Sequence, residues 1–140
     1  MTNLTLYFMK GLPASGKTTK ALELVRDDEA YRVNKDDIRM MMFNGDYHSD
    51  LERTVIDIER YTVRRLLNQG YSVVVDNTHL NPQHEREYRS IADFFGAEFE
   101  VILCDTPLEI CLERDRVREK RVGDEVIIQM HDRAKRKGYL

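Results

Sequence analysis

The chain has 140 residues, 34% of them charged and 41% hydrophobic, with a net charge of −3 and two cysteines. That length suits one domain with a real core and leaves no room for a second, and no apolar run approaches the roughly 20 residues of a membrane span. Cys104 and Cys111 form neither a C-x-x-C pair nor a metal cluster, and two unpaired thiols point to a reducing cytoplasm.

In chain order, Leu4-Thr5-Leu6-Tyr7-Phe8-Met9 reads as a core strand. It runs straight into Gly11-Leu12-Pro13-Ala14-Ser15-Gly16-Lys17-Thr18, so it is not a signal peptide. This octapeptide is a G-x-x-x-x-G-K-[ST] phosphate loop, and a helical pattern from Thr19 to Val25 follows it. The residue types have physical reasons. Glycines let backbone N–H groups turn inward around phosphate oxygens, and the helix presents its positive end to them. Lys17 supplies a charge for the terminal phosphates, and the Thr18 hydroxyl is a Mg²⁺ ligand. The expected nucleotide contacts are Gly11, Pro13, Ala14, Ser15, Gly16, Lys17, Thr18 and Thr19.

A polar turn over residues 26–30 precedes a short strand, Tyr31-Arg32-Val33, which ends in Asn34-Lys35-Asp36-Asp37. Ile38 to Phe43 has helical composition, with Met40, Met41 and Met42 expected to fill core. Leu51 to Asn68 reads as an amphipathic helix whose apolar face is Val55, Ile58, Thr62, Leu66 and Leu67, stopped by Gly70. Tyr71-Ser72-Val73-Val74-Val75 is an unbroken buried strand of the parallel-sheet type, and Asp76-Asn77-Thr78 closes it. Asn81-Pro82 starts a helix that runs to about Phe95, and Gly96 ends it. Ala97 to Cys104 is a fourth strand. Thr106-Pro107 is expected to cap the next helix, with Leu108, Cys111, Leu112 and Ile110 inward. A last helix spans Glu125 to Lys137, with Val126, Ile127 and Met130 inward.

Strands alternating with helices imply an α/β fold, a four-stranded parallel sheet covered on both faces. Ligands in such sheets bind outside the carboxyl ends of the strands, which gathers the phosphate loop, residues 34–37, residues 76–78 and residues 105–106 on one rim. Asp76 stands where a phosphate-loop protein keeps its second acid for Mg²⁺. Asp36 and Asp37 offer a carboxylate to take the proton of an attacking hydroxyl, with Arg39 placed for an anionic substrate group. Spacing leaves open which aspartate works and which caps the helix. Residues 112–140 hold nine Lys/Arg against six acids. Within them Arg114 and Arg118, at i and i+4, share one helical face, suiting a lid that offsets charge on a transferring phosphoryl, while Arg116 points elsewhere. His79 lies near the rim as a substrate contact, whereas His84 and His131 read as exposed helical residues.

These motifs, in this order, resemble the kinase domain of phage-type 5′-polynucleotide kinases, a group within the P-loop kinases. The resemblance rests on residues 11–18, on Asn34-Lys35-Asp36-Asp37-Ile38-Arg39, on residues 73–82 and on the Arg114/Arg118 pair. It implies transfer of the ATP γ-phosphate to the 5′-hydroxyl of DNA or RNA, with Mg²⁺ as cofactor and a ligase acting in the same pathway. By that analogy Asp36 is the general base, Arg39 contacts substrate phosphate, and Lys17, Arg114 and Arg118 hold ATP, with Lys17 and Arg118 also catalytic. The third strand departs from the phage pattern Ser-Asp-Thr-Asn by one position at Asp76. No two aspartates are separated by a single residue, so the D-x-D of the phage phosphatase domain is missing and a kinase-only version is expected. A kinase of small hydroxyl compounds and a nucleotide-gated binding module are the competing readings. The sequence pI of 5.8 argues against a general nucleic-acid surface. No N-K-x-D motif follows the fourth strand, which favours ATP over GTP.

Overall fold

The computed structural model describes residues 3–27, 29–78 and 80–140. Along them run β1 (Thr5–Gly11), α1 (Lys17–Arg26), β2 (Tyr31–Val33), α2 (Lys35–Phe43), α3 (Glu52–Asn68), β3 (Val73–Val75), α4 (Pro82–Phe94), β4 (Glu98–Cys104), α5 (Leu108–Arg116) and α6 (Asp124–Arg136). The strands make one parallel sheet in the order β2-β3-β1-β4, the architecture expected from the alternation of elements.

A strand covered on both faces needs apolar side chains of both parities. The two central strands have them. Leu6, Phe8, Val73 and Val75 face one core, against Val63 and Leu67 of α3 and Tyr88, Ile91 and Ala92 of α4. Met9 and Val74 face the other, against Ala21 of α1. Full burial of one such side chain contributes about 1.5–3 kcal/mol, so three consecutive buried valines make the short β3 a firm anchor. A third cluster, Leu12 with Cys111 and Ile127, ties α5 and α6 to the start of the phosphate loop.

The structure corrects several expectations about faces and caps. The buried stripe of α3 is Val55, Glu59, Val63 and Leu67, an exact i, i+4 series, and Ile58, Thr62 and Leu66 flank it half-buried. A glutamate in that stripe hid it from an apolar count. Helix α2 begins at Lys35 with Asn34 as its cap, so both aspartates lie inside the first turn and neither caps it. Met40, Met41 and Met42 are exposed, because α2 buries none of its residues completely. Ile110 and Val126 are also exposed, whereas Cys111, Leu108 and Leu112 of α5 and Ile127 and Met130 of α6 pack inward as expected, joined by Asp115 and Ala134. Asn81 and Pro82 start α4 as expected: Asn81 Oδ1 accepts the Gln83 N–H at 3.0 Å, and Gly96 beyond its end has φ +68°. No helix among the described residues is long and apolar enough to cross a membrane.

Candidate active site

Between β1 and α1 the chain turns through Ala14 (φ 63°) and Gly16 (φ 99°), both left-handed. Left-handed residues alternating with right-handed ones turn successive N–H groups into a concave anion nest, and the first N–H groups of α1 add to it because no intrahelical acceptor reaches them. A non-glycine residue at such φ costs about 1–2 kcal/mol. Three bonds over-determine the loop and hold it there. The Ser15 N–H donates to the Leu12 carbonyl (3.2 Å), the Gly11 N–H to the Thr78 carbonyl (3.2 Å) and the Thr106 hydroxyl to the Ser15 carbonyl (2.8 Å). Thr106 therefore braces the phosphate loop and does not cap α5, whose first turn has no side-chain cap.

The loop opens on a cleft of about 1100 Å³. Residues 13–19, Asp36, Arg39, Asp76, Arg114 and Arg118 all line it, so the sequence candidates converge with one exception. Gly11 sits behind the loop. A Cβ there would stand 2.6 Å from Ser15 Oγ and 2.8 Å from the Cys104 carbonyl oxygen, so glycine is needed for the loop to pack on β4.

Lys17 is buried, and its Nζ donates to the Leu12 carbonyl at 2.7 Å. Burial lowers its pKa, and the Asp76 carboxylate opposes that shift. The Thr18 hydroxyl donates to Asp76 Oδ2 at 3.1 Å, and the same oxygen accepts from Arg32 Nε at 2.8 Å. A hydroxyl and a carboxylate side by side next to the phosphate nest are the hard oxygen donors that Mg²⁺ takes together with phosphate oxygens. The residues present fit that ion.

On the acceptor side, Asn34 Oδ1 accepts the Asp37 N–H at 2.8 Å, and its amide donates to the Asp76 carbonyl, locking α2 to the end of β3. Asp37 turns away to Arg32 NH1 at 2.5 Å. Asp36 lines the cleft with its side chain 84% exposed, and its Oδ1 accepts from Arg39 NH1 at 2.7 Å. Arg39 is anchored from behind, since Glu52 accepts from both its Nε and NH2. Its guanidinium thus orients Asp36 as well as facing the cleft.

Beneath α2 lies a buried polar chain. Glu59 accepts from the Tyr88 hydroxyl and, at 3.0 and 2.9 Å, from the Asn77 amide, whose Oδ1 accepts the Lys35 N–H at 3.0 Å. Burial raises the Glu59 pKa, opposed by the Asn77 and Tyr88 hydrogen bonds and the Lys35 and Arg39 charges.

Over the other side of the cleft, α5 ends at Arg116, so Arg118 belongs to the turn beyond it rather than to the helical face of Arg114. Both still line the cleft. Arg114 donates to the Ala14 carbonyl at 3.3 Å. The turn is organised by fully buried Asp115, which accepts the Val122 and Gly123 N–H groups at 2.9 Å and stands 3.7 Å from Arg118. Burial pushes the Asp115 pKa up, but those two N–H groups and the charges of Arg118 and Arg121 outweigh it and hold the carboxyl below the usual range. Arg116 points elsewhere, to Asp124 at 2.7 Å.

Sequence reasoning missed Arg32, Glu59 and the brace at Thr106, as well as Lys35, His84, Arg133 and Lys137 on the cleft wall. His84 is half-buried, not exposed, and burial with the Lys35 charge lowers its pKa. The i, i+4 spacing of Arg133 and Lys137 near the end of α6 was the available signal for that pair. His79 lies outside the described residues.

A phosphate nest between β1 and α1, an acid after β3 beside the loop threonine and an arginine-bearing segment over the cleft, on this four-stranded parallel sheet, make up the P-loop kinase fold expected from the sequence. The chain belongs to the AAA domain family, which matches residues 6–137. It is 22% identical over 131 residues to an L-seryl-tRNA(Sec) kinase of Methanococcus maripaludis, covering 91% of this chain and 51% of that protein. It is 29% identical over 130 residues to a candidate bifunctional polynucleotide kinase/RNA ligase of Autographa californica nuclear polyhedrosis virus, covering 83% of this chain and 18% of the viral protein. The chain thus spans about half or less of these curated relatives. Its fold matches a chain in the solved Pnkp1/Rnl/Hen1 complex with a TM-score of 0.73 at 24% identity, covering 89% of this chain and 43% of the other.

Proposed function

We propose that the protein transfers the γ-phosphate of ATP to the 5′-hydroxyl end of a DNA or RNA strand. The observation that carries this reading is that Asp36 faces the same cleft as Lys17 and Thr18, while Asp37 is taken up by Arg32. The attacking hydroxyl gives its proton to an Asp36 carboxylate oxygen as its own oxygen bonds to the γ-phosphorus, and the bond from that phosphorus to the β-γ bridging oxygen breaks, releasing ADP. Residues 13–19 bind the phosphates through backbone N–H groups, and Lys17 holds the terminal ones. Thr18 and Asp76 would hold Mg²⁺, which when bound would supply positive charge to neutralise the phosphate oxygens. Arg114 and Arg118 offset the charge spread over the transferring group. Arg39 holds Asp36 in place and adds positive charge for the acceptor phosphate.

The names of the viral relative and of the matched complex, one joining a polynucleotide kinase to an RNA ligase, support a nucleic-acid acceptor and a ligase that consumes the new 5′-phosphate. The archaeal relative named for a seryl-tRNA acceptor favours a second reading, a kinase of a smaller hydroxyl group. Both are tested together with γ-labelled ATP, Mg²⁺ and 5′-OH DNA and RNA oligonucleotides, beside serine, nucleoside and sugar acceptors. End-labelling of an oligonucleotide supports the first reading; labelling of small acceptors alone refutes it. Asp36→Ala should then lower kcat by about 10²–10⁴ with unchanged ATP affinity, because loss of a general base acts on the chemical step.

A further inference from the structure

Most cations facing the cleft already have a partner. Arg39 is bound to Glu52 and Asp36, Arg118 stands by Asp115, Arg114 donates to a carbonyl of the phosphate loop, and Lys17 is buried in that loop. Arg133 and Lys137 differ. Arg133 lines the cleft from the last turn of α6 and Lys137 from the residue that caps its end; both are exposed, and neither makes an ion pair with any described residue. The Lys137 N–H donates to the Arg133 carbonyl at 3.1 Å, so the two residues follow one another on a single helical face. At 1.5 Å rise per residue they stand about 6 Å apart along the axis. That is roughly two steps of a stacked strand at about 3.4 Å per nucleotide. The Tyr139 hydroxyl donates to Glu85 Oε1 at 2.8 Å, which places the end of α6 beside the first turn of α4, where Asn81 and His84 also line the cleft. The opposite boundary of that region is Lys35, next to Asp36 and likewise without an ion pair among the described residues.

We infer that Arg133 and Lys137 form a phosphate track that grips the internucleotide phosphates downstream of the acceptor's 5′-terminal nucleoside. This rests on the nucleic-acid reading above. It gives a chain with a net charge of −3 a local pair of positive charges on the cleft wall with which to engage a polyanion. The pair reads backbone and not sequence, so it serves any strand with two or more phosphodiesters.

The test measures the Kd of a 3′-fluorescein 5′-OH hexanucleotide by anisotropy between 50 and 500 mM NaCl, for wild type and for Arg133→Ala/Lys137→Ala. Each single-strand phosphate contact contributes about 0.7 to the slope of log Kd against log salt. Two contacts predict that the tenfold salt increase costs wild type about 25-fold more affinity than the double variant. The charge-preserving Arg133→Lys/Lys137→Arg variant keeps the wild-type slope, and a methylphosphonate hexanucleotide abolishes the difference between wild type and the alanine variant. Both side chains are exposed, and an unchanged melting temperature shows that the variants are folded. An unmoved slope overturns the track while end-labelling leaves the kinase reading standing. A raised KM for ATP in the alanine variant assigns the pair to the donor and also overturns the track. If wild type labels no oligonucleotide at all, both readings fall together.

Discussion

Glu59 is the residue whose replacement most directly probes how the acceptor side is held. It is 2% exposed, and its two oxygens receive the Tyr88 hydroxyl and the Asn77 amide. Asn77 cannot turn over freely, because its Oδ1 accepts the Lys35 N–H at 3.0 Å. Glu59→Gln replaces one carboxyl oxygen by an NH₂, whose two N–H donors exceed the single O–H that even the protonated carboxyl carries. Either two amide donors then face each other in the core, or Asn77 flips and orphans the Lys35 N–H at the start of α2. One buried donor is left unpaired in both cases, which costs about 1–3 kcal/mol. Glu59→Ala loses both acceptors and opens a cavity, for roughly 3–5 kcal/mol. The pH dependence adds a sign. The folded carboxyl titrates above the ordinary Glu pKa of about 4.3, so the stability it contributes is fully present below that value and is lost as pH rises through the folded one. Gln does not titrate. The gap between wild type and Glu59→Gln is therefore largest near pH 4.5 and narrows towards pH 8. Urea unfolding followed by circular dichroism at both pH values measures it. Equal stability of wild type and Glu59→Gln at pH 4.5, or a gap that widens with pH, would refute the reasoning.

Two further substitutions test the loop and the arginine-bearing turn after α5. Gly11→Ala drives a Cβ to 2.8 Å from the Cys104 carbonyl oxygen, and backbone cannot step aside as a flexible side chain can. The expected loss is about 1–3 kcal/mol in urea unfolding, with weaker ATP binding by calorimetry because the loop must shift. Asp115→Asn leaves one oxygen for two backbone N–H groups and loosens the turn that carries Arg118. The Asp115 carboxyl titrates below its ordinary value of about 3.9 in the folded protein, so its contribution is present above that pH and lost as pH falls through the lower folded value. The variant should be less stable at pH 7 and should converge on wild type towards pH 3, and a constant difference across that range would count against the assignment.

How much of this was legible in the sequence follows the range of the interactions. The phosphate loop, the valine run of β3 and the Asn81-Pro82 helix start are local devices, because a few neighbouring residues carry all of their geometry. They stand where the sequence put them. The alternation of strands and helices likewise implies the parallel sheet, and its rim gathers the loop, Asp36 and Asp76. The tertiary structure decided what each rim residue faces. Arg32 reaches Asp76 across 44 positions, Thr106 reaches Ser15 across 91, and Glu59 lies under Asn77, 18 residues away. Periodicity reports which side of its own helix a residue occupies, but not what stands opposite. That is why periodicity misses Glu59 in an apolar stripe, assigns Met40 to Met42 to a core that α2 does not enter, and reads Arg133 with Lys137 as part of a charged chain end. The sequence alone determined the phosphate loop and the rim on which the proposed reacting groups gather. Only the packing of strands in the order β2-β3-β1-β4 settled which aspartate faces the cleft and which cations remain free, because those properties belong to pairs of residues distant in the chain.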